Sequence, residues 1–217
     1  MGTPKKQGSK ALTAVLIVLA VLLAAALVVT GLAFSDPYAS KGIENTVPSD
    51  TLQKKFAQNA IARKDSSFST DDVNSWLAYL FRKPDAKTGS GSVQLEDIAI
   101  VGASGDSADF YLPTLFHGKK LGVILNITPS LDAPSGKLLF RVNSAHVGRL
   151  PVPVGLVLDQ AEKHLPERFT RSGNYITCDA PSVQASLLQV SATVRLSTFQ
   201  LKNGVLKLSA ETSVTVG

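Results

Sequence analysis

From Ala11 to Phe34 the chain runs 24 residues without a charge, interrupted only by Thr13, Thr30 and Gly31. At about 1.5 Å per residue a helix of that length covers roughly 36 Å, more than the hydrocarbon core of a bilayer. Residues 11–34 therefore read as a transmembrane helix, with a modest tilt taking up the excess. Lys5, Lys6 and Lys10 precede the run, whereas Ser35 to Ser40 hold Asp36 and no base. The basic tip, residues 1–10, is then expected on the cytoplasmic side and the rest of the chain outside. A cleaved signal peptide has the same basic head and apolar run, but its apolar stretch is only ~7–15 residues.

That topology accounts for most of the charge. Beyond Phe34, 19 Lys and Arg face 17 Asp and Glu, which leaves +2 of the chain's +5. No Lys/Arg cluster with interleaved aromatics occurs after residue 34, so nucleic acid is not an expected partner. Cys178 stands alone and cannot form an intramolecular disulfide, so an exported domain must hold its fold by its core. A length of 183 residues makes that feasible. Cys178 itself reads as a small buried apolar residue.

Residues 35–49, rich in Ser, Pro, Gly and Asn, read as a linker, and 50–217 as one extracytoplasmic domain. A short polar helix is expected from Asp50 to about Ala62, with Leu52, Phe56 and Ala60 on one stripe. The next helix has the clearest start: Ser69 as N-cap, Asp72 three residues on, and Phe68 and Val73 placed as a hydrophobic staple. Val73, Trp76, Leu77, Leu80 and Phe81 then share one face, and Pro84 closes it. Residues 86–92 read as a flexible break.

Strand-like runs follow at roughly 93–101, 108–116, 119–128, 137–147, 174–179, 183–202 and 205–216. Asn203-Gly204 is a preferred type I′ turn, which makes the last two runs a hairpin. In the penultimate run the apolar set sits on even positions through Val190, Ala192, Val194 and Leu196 and then on odd positions at Phe199 and Leu201. That slip implies a bulge near Ser197-Thr198, or two shorter strands with a bend, and a bulged strand favours a strongly curved sheet. One helix interrupts the strands: Leu150-Pro151-Val152-Pro153 leads into Val154, Val157, Leu158, Ala161 and Leu165, with Pro166 as the stop. The order, without βαβ alternation, predicts an α+β fold built on an antiparallel sheet.

Catalytic constellations are not found. His117, His146 and His164 lie far apart, and none is at metal-ligand spacing to another His, Cys or carboxylate. Gly102-Ala103-Ser104-Gly105 misses the nucleophile-elbow pattern and reads as a hairpin turn. The Asn126-Ile127-Thr128 sequon falls within a strand. No cofactor or metal is expected, and the chain reads as a non-enzyme. What survives is binding of something apolar: amphipathic helices on a curved sheet can leave a seam, although the same residues could simply fill the core.

The segment Phe68-Ser69-Thr70-Asp71-Asp72-Val73-Asn74-Ser75-Trp76-Leu77 resembles the helix opening of the YpmS-like and YceB-like bacterial envelope proteins, related to the tubular lipid-binding (TULIP) superfamily. Val147-Gly148-Arg149-Leu150-Pro151-Val152-Pro153 resembles the strand, Gly-x-Leu-Pro-x-Pro, helix step of the same group, and the single-pass anchor matches the YpmS-like arrangement. The resemblance implies a helix cradled by a highly curved antiparallel sheet, with a role in handling lipid. It implies residence at the bacterial cytoplasmic (inner) membrane, N-terminus inside. Asn74 carries over as a contact from helix to backbone. The expected ligand groove is lined by Trp76, Leu77, Leu80, Phe81, Val154, Val157, Leu158 and Ala161. The competing reading is a structural or assembly protein of the envelope, acting through protein contacts, and a homo-oligomer could extend the groove.

Overall fold

Helix α1 (Thr51–Ile61) buries Leu52 and Ala60, and the short strand β1 (Ser66–Ser69) then runs directly into helix α2 (Thr70–Phe81). The switch from strand to helix is made at Ser69. The Asp72 N–H donates to Ser69 Oγ (3.2 Å) while Ser69 N–H donates back to the Asp72 carboxylate (2.9 Å), so two of the free N–H groups at the helix start are satisfied. Phe68 and Val73, flanking the cap, are both buried in one cluster. The structure, a computed structural model, describes residues 28–40, 42–82, 93–162, 167–180, 182–187 and 190–216. The basic tip, the apolar run up to residue 27, Pro84, the 86–92 break, His164 and Pro166 lie outside the described residues.

The remaining described elements are β2 (Val93–Leu95), β3 (Ala99–Ser104), β4 (Ser107–Phe116), β5 (Lys119–Asp132), β6 (Lys137–Val147) and β7 (Leu150–Val152). Helix α3 (Val154–Glu162) comes next, followed by β8 (Phe169–Ser172), β9 (Tyr175–Asp179), β10 (Ser182–Leu187), β11 (Val190–Lys202) and β12 (Val205–Val216). The larger sheet runs β2-β4-β5-β6-β9-β8, with β3 sharing an edge of β4 and β7 an edge of β6; the smaller runs β1-β12-β11-β10. Every described pairing is antiparallel. The fold is α+β, with a strongly curled antiparallel sheet and few helices.

The curl has local causes. Single extra residues break the register between Ile100 and Gly102 on β3, at Asn126/Ile127 where β6 carries an additional residue, and between Leu196 and Thr198 on β11. Each bulge bends its strand and increases the twist. The expected slip near Ser197-Thr198 is therefore present. Asn203 and Gly204 both take positive φ, 48° and 77°, as the type I′ hairpin requires, and the Asn203 N–H donates to the Gly105 carbonyl at 2.7 Å. That bond ties the β11–β12 hairpin to the β3–β4 turn. β11 packs across β5.

The main core lies between the two sheets and the first two helices. Leu52, Phe68, Val73, Ile100, Ala108, Leu201, Leu206 and Leu208 are buried there, with Phe56, Trp76, Leu77, Phe110, Leu196 and Phe199 packed against them. A second small cluster forms on the opposite face of the large sheet, where Ile43, Ala99 and Tyr111 are buried against Tyr38, Val101 and Ile124.

That second cluster takes in described residues from the 35–49 segment: Tyr111 donates to the Asp36 carboxylate at 2.5 Å, and the Tyr38 and Tyr111 rings stand 5.5 Å apart. Arg82, just past α2, donates to the Ile43 and Thr46 carbonyls at 2.9 and 2.7 Å and to Asp97 at 2.8 Å. Residues 28–33 are helical, and the Arg149 N–H donates to the Leu32 carbonyl at 2.9 Å. No helix among the described residues is long and apolar enough to cross a membrane.

Other differences from the expected elements are instructive. The 183–202 run divides into β10 and β11, two strands of a hairpin. Leu150–Val152, expected only as a lead into a helix, pairs with β6 as β7, and β1 and β8 were not anticipated.

Candidate functional site

In antiparallel strands, directly opposed residues share a face, so the register assigns one. Phe110, Leu125, Ala145 and Val152 form one row across β4, β5, β6 and β7; Leu112, Val123, Val147 and Leu150 form the next. This face is the inner one, because Ile100 opposes Phe110 and Ala108 opposes Ile127, and Ile100 and Ala108 both belong to the main core. Ala145 is buried, whereas Phe110, Leu112, Val123, Leu125, Val147, Leu150 and Val152 are only half-buried. An apolar floor two rows wide therefore extends beyond the closed core.

The helices stand at opposite edges of that floor. Helix α2 packs on α1, β1, β3 and β12. Asn74 fixes its pitch: the Asn74 carboxamide donates to the Ile100 carbonyl at 2.9 Å and accepts from the Ile100 N–H at 2.7 Å. This is the contact from helix to backbone expected of Asn74. Helix α3 packs on β6 and β8. Arg171 of β8 clips it down, donating to Asp159, to Glu162 at 3.1 Å and to the Gly155 carbonyl at 3.4 Å. Arg171 opposes Ile176, which opposes Phe140, and the Phe140 ring meets Phe199 of β11 edge-on at 6.1 Å. Helix α3 is thereby on the inner side too.

The eight residues expected to line a groove divide accordingly. Trp76 and Leu77 pack on the main core, and Leu80 and Phe81 are half-buried at the far end of α2. Val154, Val157 and Ala161 are half-buried on α3, while Leu158, 1 % exposed, is a core residue. The two sets pack on different strands, with the β4–β5–β6 floor between them. The Trp76 indole N–H is buried and has no hydrogen-bond acceptor among the described residues, an uncommon arrangement for a buried donor.

Sequence reasoning missed the floor itself. The alternation of Leu121, Val123, Leu125 and Ile127 was visible as a half-buried strand, but which residues of β6 and β7 oppose it depends on a bulge and a turn that no local pattern announces.

A polar pocket of about 310 Å³ opens on the outer face, lined by Tyr38, Asp109, Ser144, His146 and Arg149 among others. Asn126 donates to Asp109 at 2.7 Å, and Asn143 donates to Asn126 at 2.8 Å, so the sequon asparagine is part of a side-chain ladder across the strands. Among the described residues no hydrogen bond joins Ser144, His146 and Asp109 to one another. A second open pocket, about 320 Å³, lies over the β11 bulge beside Pro129 and Leu131. Among the described residues no group of three His, Cys, Asp or Glu could hold a metal ion. Cys178 is half-buried, and that burial raises its thiol above the ordinary value.

No protein-family model matches the chain, and no curated protein or solved structure was found to be similar to it.

Proposed function

We propose that the chain is a membrane-anchored, non-catalytic extracytoplasmic module that takes a lipid-like apolar ligand on the inner face of its curled sheet, between α2 and α3. The observation that carries this reading is the half-buried apolar floor, Leu112, Val123, Val147 and Leu150 beside Phe110, Leu125 and Val152. Apolar surface that a fold could close and leaves partly open favours an apolar ligand by roughly 25 cal/mol for each Å² the ligand covers. The anchor rests on the 11–34 run, and the TULIP-like reading of the fold on the motifs around Ser69 and Pro151.

The full chain, purified from bacterial membranes in mild detergent and examined by native mass spectrometry, is expected to carry one lipid per chain. Val123→Gln and Val147→Gln, which place amides on the floor, are expected to lower that occupancy at least several-fold without changing the circular dichroism spectrum. Absence of bound lipid, with no uptake of a fluorescent fatty acid, would sink the reading. A stoichiometric protein partner retained equally by both variants would favour an assembly module.

A further inference from the structure

Where residues 32–36 meet the domain, the surrounding surface is basic and aromatic. The β4–β5 turn, at His117 and Gly118, carries Lys119 and Lys120; the β6–β7 turn, at Gly148 and Arg149, holds the Leu32 carbonyl through the Arg149 N–H. Lys119 Nζ lies 5.3 Å from the centroid of the Phe34 ring. Phe34 and Phe116 are each 43 % exposed, and the Phe116 ring meets His117 edge-on at 4.6 Å. Lys119, Lys120 and Arg149 are exposed, with Glu96 the one carboxylate paired to them among the described residues, 3.9 Å from Lys120.

We infer that this collar is a docking surface for the anionic headgroups of the bilayer that residues 11–34 enter. The inference rests on the anchor reading given above. Two observations select this occupant. The chain outside the described residues leads back from Val28 through the apolar run, and Phe34, its last residue, is in contact with Lys119, so the two turns stand where the chain leaves the hydrocarbon. Their chemistry suits that level: lysine and arginine attract anionic headgroups within a Debye length, and exposed aromatic rings partition to the interface. The β4–β5 turn projects three residues past Gly122, the point where the β6–β7 turn bonds to β5, about 10 Å along the strand. Both turns would then meet headgroups beside the anchor, Lys119 next to Phe34 and Arg149 next to Leu32.

The test uses the full chain with a single cysteine at position 117 (His117→Cys with Cys178→Ala), carrying an environment-sensitive fluorophore. It is reconstituted into vesicles of phosphatidylcholine alone or with about one-third phosphatidylglycerol. Retention after carbonate washing reports the anchor separately. Expected is a blue-shifted emission on the anionic vesicles only, lost in high salt, with K119Q, K120Q and R149Q together lowering the docked-to-undocked ratio on the order of 100-fold. Hydrogen exchange of the unmodified chain at residues 116–120 and 148–150, slowed only by the anionic vesicles, gives the same reading without a label. Carbonate-resistant chain with no shift and no slowing, or an equal response on both lipids, overturns the docking surface and leaves the anchor standing. Chain released by carbonate overturns both.

Discussion

Asn74 closes a two-bond ring on the backbone of Ile100, accepting from its N–H at 2.7 Å and donating to its carbonyl at 2.9 Å. The ring sits at the β3 bulge, where the strand between Ile100 and Gly102 has left its regular ladder, so the side chain of α2 supplies backbone partners at the break. Asn74→Ala strands both groups, and an unsatisfied buried group costs about 1–3 kcal/mol. We expect a loss of roughly 2–3 kcal/mol in urea unfolding, a fall of the melting temperature by about 5–10 °C. Asn74→Asp should not rescue it, since a carboxylate cannot donate to the Ile100 carbonyl.

Gly148 takes φ +59° and presses against the Leu32 and Ala33 carbonyls, leaving no room for a Cβ. Gly148→Ala combines a left-handed backbone, about 1 kcal/mol for an L-residue, with a collision on backbone atoms. The expected outcome is release of the 28–38 segment, seen as faster hydrogen exchange there and new protease cleavage between residues 35 and 42. The β11–β12 hairpin should keep its protection.

Several of these features are legible in the sequence and several are not, and the division is physical. The Ser69 capping box, the Asn203-Gly204 turn and the slip after Leu196 are settled within a few residues, so their chemistry is local. The seat of Tyr38 on Tyr111 and the opposition of Val123 to Val147 depend on chain brought together from 73 and 24 residues away, and registers of that reach follow from bulges and turns. Leu158 and Val157 look alike on a helical wheel, yet one is sealed and the other half-open, because β6 and β8 approach α3 from one side.

Leu158 accordingly separates core from groove. At 1 % exposure, Leu158→Ala should cost about 2–5 kcal/mol by chemical denaturation, with bound-ligand stoichiometry unchanged in the fraction that folds. Val157→Ala should cost well under that.

Asp72 provides a pH signature. The Ser69 hydroxyl and N–H donate to its carboxylate and hold it below the usual carboxylate range. A depressed folded value contributes stability at pH above the ordinary value of about 3.9, and that contribution disappears as pH falls through the depressed value. Because the cap is exposed, the effect is small, on the order of 0.5–1 kcal/mol. Asp72→Asn should lose that amount at pH 7 and show a shallower decline of stability as pH falls below the ordinary carboxylate value.

The bulge in β11 means that curvature in this sheet is set in whole residues. Between the pairs Leu196–Ala210 and Thr198–Ser209, β11 spends two steps where β12 spends one, like the outer lane of a bend. Deleting Ser197 would restore an unbroken apolar alternation, with Leu196 and Phe199 in step, and so improve the pattern on paper. The ribbon would lose its surplus length, straighten, and lift from β5. The irregularity that makes the sequence harder to read is thus the dimension that sets how far the sheet closes.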